Sequence, residues 1–206
     1  MRVYRIPYST NVERVALALA HKSMPVDWVD VDPEDRSRVV ELSGQDLVPV
    51  LRADHGEVVV DSMRIVAWLE TRRPDPPLWP AGAGRAAEVD VFIEWFNRVW
   101  KLPPNAITAE LAADEPDEQR LEGWQAEMRG WLHLFEDMLD GRDWLMSETF
   151  GAADLCAFPV LKYGVLDLRD DDHDVFHRVL ADHLPIKGAF PAIEAWVHRV
   201  DALPRA

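Results

Sequence analysis

The chain has 206 residues, enough for one large domain or two modest ones, each with a buried core. Apolar residues make up 48% and charged residues 29%, which excludes a disordered chain, and no apolar run reaches the roughly 18 to 20 residues that span a bilayer. The net charge of −15 would repel a phosphate backbone, so a nucleic-acid partner is not expected. A lone cysteine, Cys156, allows no internal disulfide, and the first residues carry no secretory apolar region. We therefore expect a cytoplasmic protein without a membrane partner.

The first 80 residues alternate between strand-like and helix-like patterns. Strand patterns bounded by turn residues occur at 2–6, 26–31, 48–51 and 58–60. Helical patterns occur at 10–19, at 33–42 and after Ser62. Thr10 and Glu13 have capping-box spacing, which predicts that the first helix begins near Thr10 or Asn11. The order βαβαββα predicts two parallel strands followed by an antiparallel hairpin, which is a thioredoxin-like α/β arrangement.

Prolines and glycines between residues 74 and 84 predict a linker that cannot be helical throughout. Beyond it the strand patterns stop, and apolar residues recur with helical spacing at 91–99, 121–139, 155–165, 175–184 and 193–203. We predict a thioredoxin-like domain at 1–73, a linker at 74–84 and an all-α helical bundle domain at 85–206. The acidic run 167–174 is expected to be an exposed loop. No metal-ligand spacing stands out, and we expect His173, His177 and His183 to lie on the surface.

Four segments carry recognisable motifs in a fixed order. Residues 6–19 read IPYSTNVERVALAL and match the pattern P-x-S-T-x-x-x-R-V, whereas residues 42–51 read LSGQDLVPVL and are close to N-P-x-G/Q-x-V-P-x-L. Residues 61–70, DSMRIVAWLE, are close to E/Q-S-x-x-I-x-x-Y-L, and residues 150–155, FGAADL, are close to F-S/T-x-A-D-x. Together these segments resemble the glutathione S-transferase superfamily, in particular its serine-type, phi-like and zeta-like members. The resemblance covers nearly the whole chain.

The resemblance implies a thioredoxin-like domain that binds glutathione as co-substrate, no metal, and a homodimer. It implies a cis Val48–Pro49 bond, with the backbone of Val48 facing the peptide thiol. Ser62 and its backbone would bind the γ-glutamyl carboxylate, and Asp61 would bind the ammonium group. Gln45 would lie near the glycyl end of the ligand. Asp61 is shorter than the usual Glu or Gln at its position.

Ser9 is the candidate catalytic residue, since it directly precedes the first helix. A thiol reacts as its thiolate, and an ordinary thiol pKa is about 8.5. A hydroxyl donor and a helix N-terminus both favour the thiolate. The same position also suits a serine that only caps the helix. Thr10 and Tyr8 are the alternative donors.

The second substrate is expected between the first loop and the first long helix of the helical domain. Tyr8, Trp95, Trp100 and Lys101 are candidates for this substrate pocket. An aromatic stripe at helical spacing is also typical of a core, and this alternative applies to Trp95 and Phe96.

Several functional alternatives remain open at this point. Residues 7–10 contain no cysteine, which argues against the cysteine-type reactions of the superfamily, and Cys156 is expected to be buried and inert. The segment 42–51 also resembles bacterial maleylacetoacetate or maleylpyruvate isomerases. No basic residue stands beside Gln45 for the glycyl carboxylate, and Arg36 and Arg38 are the nearest candidates, so another thiol such as mycothiol is the second alternative. The resemblance implies a detoxifying glutathione transferase that adds the bound thiolate to a small hydrophobic electrophile. A non-catalytic ligand carrier or adaptor is the third alternative.

Overall fold

The structure is a computed structural model that describes every residue from 1 to 206. The chain forms two compact units, Met1–Leu78 together with Leu203–Ala206, and Trp79–Ala202. The boundary between Leu78 and Trp79 falls inside the predicted linker at 74–84. The last four residues belong to the first unit, although the sequence placed them with the helical domain.

The first unit is a four-stranded sheet with three helices. In chain order its elements are β1 (Arg2–Arg5), α1 (Thr10–His21), β2 (Asp27–Asp30), α2 (Ser37–Ser43), β3 (Val50–Arg52), β4 (Val58–Val60) and α3 (Ser62–Arg72). The strand order is β2-β1-β3-β4, with β1 and β2 parallel and the other two pairs antiparallel. The predicted thioredoxin-like fold is thereby confirmed.

Helices α1 and α3 pack against each other, and each buries an apolar face. Val15 and Leu19 of α1 and Ile65 and Leu69 of α3 have no exposed surface. Their spacing at i and i+4 places each pair on one face of its helix, which explains why these segments fold as helices over a sheet.

The predicted capping box at the start of α1 is wrong. The N-cap residue is Ser9, so Thr10 is the first helical residue and Glu13 falls one position too late to complete the box. Thr10 is buried, and the Glu13 carboxylate accepts a hydrogen bond from Arg205 in the final segment of the chain. Only the predicted start of the helix is correct.

The second unit contains six helices and no strand. They are α4 (Ala83–Trp95), continued by a π-helical turn (Phe96–Trp100), α5 (Leu102–Leu111), α6 (Glu118–Met138), α7 (Ala152–Leu161), continued by a 3₁₀ turn (Lys162–Gly164), α8 (Val175–His183) and α9 (Pro191–Asp201). The all-α prediction is confirmed, but α5 was not predicted, because the π turn and the adjacent Pro103 and Pro104 interrupt the apolar periodicity. None of the helices is long and apolar enough to cross a bilayer.

Helix α7 is buried along its whole length, and Asp154 organises its N-terminus. Oδ1 of Asp154 accepts hydrogen bonds from the backbone N–H of Leu145 at 2.9 Å and from the indole N–H of Trp196 at 2.7 Å. Its Oδ2 accepts the backbone N–H of Gly151 at 2.9 Å, as expected for residue N3 of a capping box. Complete burial raises the pKa of the Asp154 carboxyl to about 7, although the N–H donors act in the opposite direction. Cys156 in the same helix is fully buried, as expected.

The predicted exposure of the histidines between residues 173 and 183 is wrong for His177. This side chain is 2% exposed, and its Nδ1 lies 2.8 Å from Oδ2 of Asp172. The His177 ring stacks on Tyr163 with ring centroids 4.4 Å apart. Asp172 is also buried, so one residue of the acidic run anchors a loop that the sequence predicted to be entirely solvated.

Candidate functional site

Three loops meet at one edge of the sheet in the first unit. Tyr4 pairs with Val50, and Val50 pairs with Val60. The end of β1, the start of β3 and the end of β4 therefore lie side by side. The segments that hold Ser9, Val48–Pro49 and Asp61–Ser62 adjoin these three positions, so the tertiary fold brings the predicted thiol-site segments to the same edge. The N-termini of α1 and α3 also lie there, and both favour a bound anion.

Ser9 is half-buried and is the N-cap residue of α1, but its side chain makes no capping hydrogen bond. The capping alternative considered for this serine is therefore absent from the structure. The preceding Tyr8 is 46% exposed and has a φ of 68°, a conformation that costs free energy in a tyrosine. Such backbone conformations are concentrated at functional sites.

Asp61 has a similarly unusual backbone, with a φ of 72°. Its Oδ1 accepts the backbone N–H groups of Met63 and Arg64 at 2.9 Å and 3.0 Å, so the carboxylate is the N-cap of α3. Both of these capping hydrogen bonds are made by Oδ1 and neither by Oδ2. An ammonium group at this exposed carboxylate would therefore bind next to an atom that already stabilises the helix.

Ser62 is 4% exposed and is the first residue of α3. Nη1 of Arg14, a residue of α1 that is 2% exposed, donates to the Ser62 Oγ at 3.3 Å. Because a guanidinium can only donate, the Ser62 hydroxyl keeps its own hydrogen for another acceptor. A carboxylate at the N-terminus of α3 is such an acceptor.

Arg14 lies within the first sequence motif, but the sequence predicted no functional role for it. A signal was present in the sequence, because Arg14 stands directly before the apolar run Val15–Leu19 of α1. An arginine that an apolar helix face buries needs a polar partner, so this position predicts a polar group on the facing element. Only the packing of α1 against α3 identified that partner as Ser62.

The loop before β3 contains the other predicted ligand residues. The Val48–Pro49 bond is cis, as the resemblance implied. The side-chain amide of Gln45 is bonded within its own loop: its Nε2 donates to the carbonyl of Leu47 at 2.9 Å, and its Oε1 accepts the N–H of Leu47 at 2.7 Å. Arg36 lies against the same loop, where its Nη1 donates to the carbonyl oxygen of Asp46 at 3.4 Å.

Comparison with known protein families agrees with this geometry. The profile of the glutathione S-transferase N-terminal domain matches residues 3–77, and that of the glutathione S-transferase C-terminal domain matches residues 96–204. The chain belongs to the glutathione S-transferase family.

Three similar proteins share about a quarter of the aligned residues with this chain. A maleylacetoacetate isomerase of Pseudomonas aeruginosa is 28% identical over 169 residues, which cover 78% of this chain and 80% of the relative. The FtsZ-localized protein A of Caulobacter vibrioides is 25% identical over 170 residues, or 75% of this chain and 73% of the relative. A solved glutathione S-transferase of Methylobacterium radiotolerans, in complex with glutathione sulfonate, is 25% identical. It superimposes with a TM-score of 0.69, covering 100% of this chain and 95% of that chain.

The residues of the helical unit that were predicted to line a substrate pocket do not share one environment. Trp100 has no exposed surface and stacks on Phe96 with ring centroids 4.8 Å apart, so in this structure it belongs to the aromatic core. Lys101 is half-buried, with its ammonium 5.9 Å from the centre of the Phe176 ring. Trp95 is half-buried and lines an open groove between α4 and α6. Tyr8 belongs to the other unit.

This α4/α6 groove has a volume of about 930 Å³. Its apolar lining includes Ala87, Val91, Trp95, Leu134 and Met138. Three acidic residues and one basic residue also line it, namely Glu88, Asp137, Asp140 and Arg142. Val91 is 69% exposed and Leu134 is 49% exposed, which is typical of a surface that another molecule covers.

Proposed function

We propose that this family member is a glutathione transferase, whose first unit binds glutathione and whose bound thiolate attacks a small hydrophobic electrophile by addition or displacement. The observation that supports this proposal most directly is that the segments of Ser9 and Ser62 meet at one edge of the sheet. The Ser9 side chain makes no capping hydrogen bond, and the Ser62 hydroxyl accepts a hydrogen bond from Arg14. The family and a neighbour that binds glutathione sulfonate support the choice of ligand. We propose a cytoplasmic location for this chemistry.

The proposed roles follow from hydrogen-bond chemistry. The Ser62 hydroxyl donates to the γ-glutamyl carboxylate, and Asp61 Oδ2 accepts the ammonium group. The Val48 backbone holds the cysteinyl peptide. The Ser9 hydroxyl donates to the sulfur, so it stabilises the thiolate without acting as a nucleophile. Holding thiolate and electrophile in one site supplies the remaining acceleration through proximity.

The first test is a calorimetric titration with glutathione, in which we expect a dissociation constant below about one millimolar. Ser62→Ala should weaken binding roughly 10- to 100-fold, because it removes a hydrogen bond to a charged group. Thr71→Ala at the other end of α3 is the control and should leave the affinity unchanged. Equal affinities of the Ser62→Ala variant and the unaltered protein would rule out this carboxylate site.

Ser9→Ala should lower turnover at neutral pH roughly 10- to 100-fold, while the glutathione dissociation constant changes little. One hydrogen bond to the sulfur corresponds to a thiol pKa lower by about one to two units, and the variant loses that shift. The measurement is the pH dependence of thiolate absorbance in the bound complex, together with steady-state kinetics. Full turnover in Ser9→Ala, combined with a loss in Thr10→Val or Tyr8→Phe, would move the donor role to one of those neighbours.

An isomerase is the second candidate, favoured by the 28% identity to a maleylacetoacetate isomerase. A thiolate that adds to a conjugated double bond, allows rotation and then leaves would use the same Ser9 site. Assays with maleylacetoacetate and maleylpyruvate separate this activity from stable conjugate formation, because an isomerase regenerates glutathione.

Two further outcomes of the titration would change the proposal. Binding of mycothiol in place of glutathione would keep the chemistry and replace the thiol. No binding of either thiol would favour a carrier or adaptor, a possibility raised by the similarity to FtsZ-localized protein A.

We also propose that the protein is a homodimer and that a second copy covers the α4/α6 groove. The groove carries charges of both signs beside its apolar residues, which suits a self-complementary contact. Val91→Glu should convert the dimer into a monomer in analytical ultracentrifugation, because it places a charge among the apolar residues of the groove. Val175→Glu alters an exposed valine of α8 and is the matched control. An unchanged dimer in Val91→Glu would show that the contact lies elsewhere.

A further inference from the structure

The final segment of the chain lies along α1 of the thiol-binding unit. The backbone N–H of Ala206 donates to the carbonyl of Ala16 at 3.1 Å, and the indole N–H of Trp28 in β2 donates to the backbone oxygen of Ala206 at 3.1 Å. Nη2 of Arg205 lies 3.0 Å from Oε1 of Glu13. The Arg205 and Glu13 side chains are 27% and 15% exposed, so this ion pair is largely shielded from water.

Glu13 lies one helical turn after Ser9 along the chain. Its backbone N–H donates to the Ser9 carbonyl at 3.0 Å, so the two residues occupy the same face of α1. Residues four apart on a helix have Cβ atoms about 5 to 6 Å apart, so Glu13 is a near neighbour of Ser9 on the side of the helix that contacts Arg205. A carboxylate on such a near neighbour raises the pKa of a thiol held by Ser9, because two negative charges repel each other.

We propose that Arg205 is a positioning residue of the thiol site: it neutralises Glu13 and so keeps the carboxylate from raising the pKa of the bound glutathione thiol. This inference rests on the proposed function. It extends the site to a residue near the opposite end of the sequence, which the first unit holds through backbone contacts at Ala206.

The other charged groups near α1 have contacts of their own. Arg14 points to α3, where it binds Ser62. Asp61 at the start of α3 is an N-cap whose charge adds to the repulsion of a thiolate. His21, Lys22 and Glu70 cluster at the opposite end of α1, about 18 Å from its start at 1.5 Å per residue. Beside Trp28, Arg5 is paired with Asp30 at 2.7 Å.

The test is the thiol pKa of bound glutathione in the full-length protein, measured from thiolate absorbance against pH. Arg205→Ala should raise this pKa by about half a unit, which lowers the thiolate fraction roughly threefold at neutral pH. Glu13→Gln combined with Arg205→Ala should return the pKa to the value of the unaltered protein. The shift in Arg205→Ala should shrink at high salt, because a partly exposed charge is screened.

Three results would overturn the inference. The first is an unchanged thiol pKa in Arg205→Ala at saturating glutathione. The second is a raised pKa that Glu13→Gln does not correct, because a purely structural role of the final segment would be lost in both variants. The third is a raised pKa in the charge-conserving Arg205→Lys variant equal to that in Arg205→Ala. None of these affects the transferase proposal, which fails instead if glutathione does not bind the unaltered protein.

Discussion

Asp154→Ala is expected to lower the free energy of unfolding by about 4 kcal/mol. The change removes the acceptor of three buried N–H groups, those of Leu145, Gly151 and the Trp196 indole. An unsatisfied buried donor costs about 1 to 3 kcal/mol, and water cannot reach this position, since Asp154 is 0% exposed. Urea denaturation followed by tryptophan fluorescence gives the loss directly.

Asp174→Ala is the matched control for this variant. Asp174 is also a helix-capping aspartate, but it is exposed and accepts only the N–H of Phe176 at 2.9 Å. Its loss should cost about 1 kcal/mol. Similar losses in the two variants would contradict the central role assigned to Asp154.

The raised pKa of Asp154 adds a pH signature to the same site. The folded value of about 7 lies above the ordinary value of 3.8, so the folded protein holds the proton more tightly than the unfolded chain does. The contribution of this group to stability is therefore complete below about pH 4 and falls as the pH rises to about 7, by at most about 1.4 kcal/mol per unit. Asp154→Asn cannot titrate. The stability difference between the unaltered protein and Asp154→Asn should accordingly shrink over this range.

Lys22→Met is expected to destabilise the first unit by about 3 kcal/mol. The Lys22 side chain has no exposed surface, and its ammonium contacts the Glu70 carboxylate and donates to the carbonyl oxygens of Pro74 at 3.2 Å and Pro76 at 2.6 Å. Glu70 in turn accepts the N–H of Leu78 at 3.2 Å. Removing the ammonium leaves a 21% exposed carboxylate and two carbonyls without their cation.

Hydrogen exchange and urea denaturation together test this prediction. The Leu78 amide should exchange faster in Lys22→Met, because segment 74–78 loses its anchor to the end of α1. The double variant Lys22→Met with Glu70→Gln should recover part of the stability, because no unpaired charge remains. Lys187→Met, at an exposed lysine, is the control. A double variant less stable than Lys22→Met would show that the charge pair is not the source of the effect.

Much of the fold was predictable from local patterns. Alternating Val26–Val31 and the short valine-rich runs specified strands, and the i, i+3, i+4 spacing of Val12, Val15 and Ala16 specified α1. The failures have physical causes. Helix α5 was missed because Pro103 and Pro104 are read as helix breakers, although they occupy its first turn, where a missing N–H costs nothing.

The candidate site was predictable in its segments but not in its hydrogen bonds. The motifs placed Ser9, Pro49 and Ser62 in three loops, and the register of β1, β3 and β4 brings those loops to one edge. The partner of Arg14 and the cap formed by Asp61 depend on side chains that meet across elements far apart in sequence.

The sequence by itself determined the order of strands and helices in the first unit, the family and the loops that carry the site, because these depend on periodicity and on residues close together in the chain. Only the tertiary structure decided which polar side chains are buried and with what partner. Lys22 with Glu70 and His177 with Asp172 are examples. The physical reason is that burying a charge is unfavourable unless a partner compensates it, and the partner is supplied by packing rather than by the local sequence. The pairing of Glu13 with Arg205 belongs to the same class, and it is the contact from which the extended thiol site was inferred.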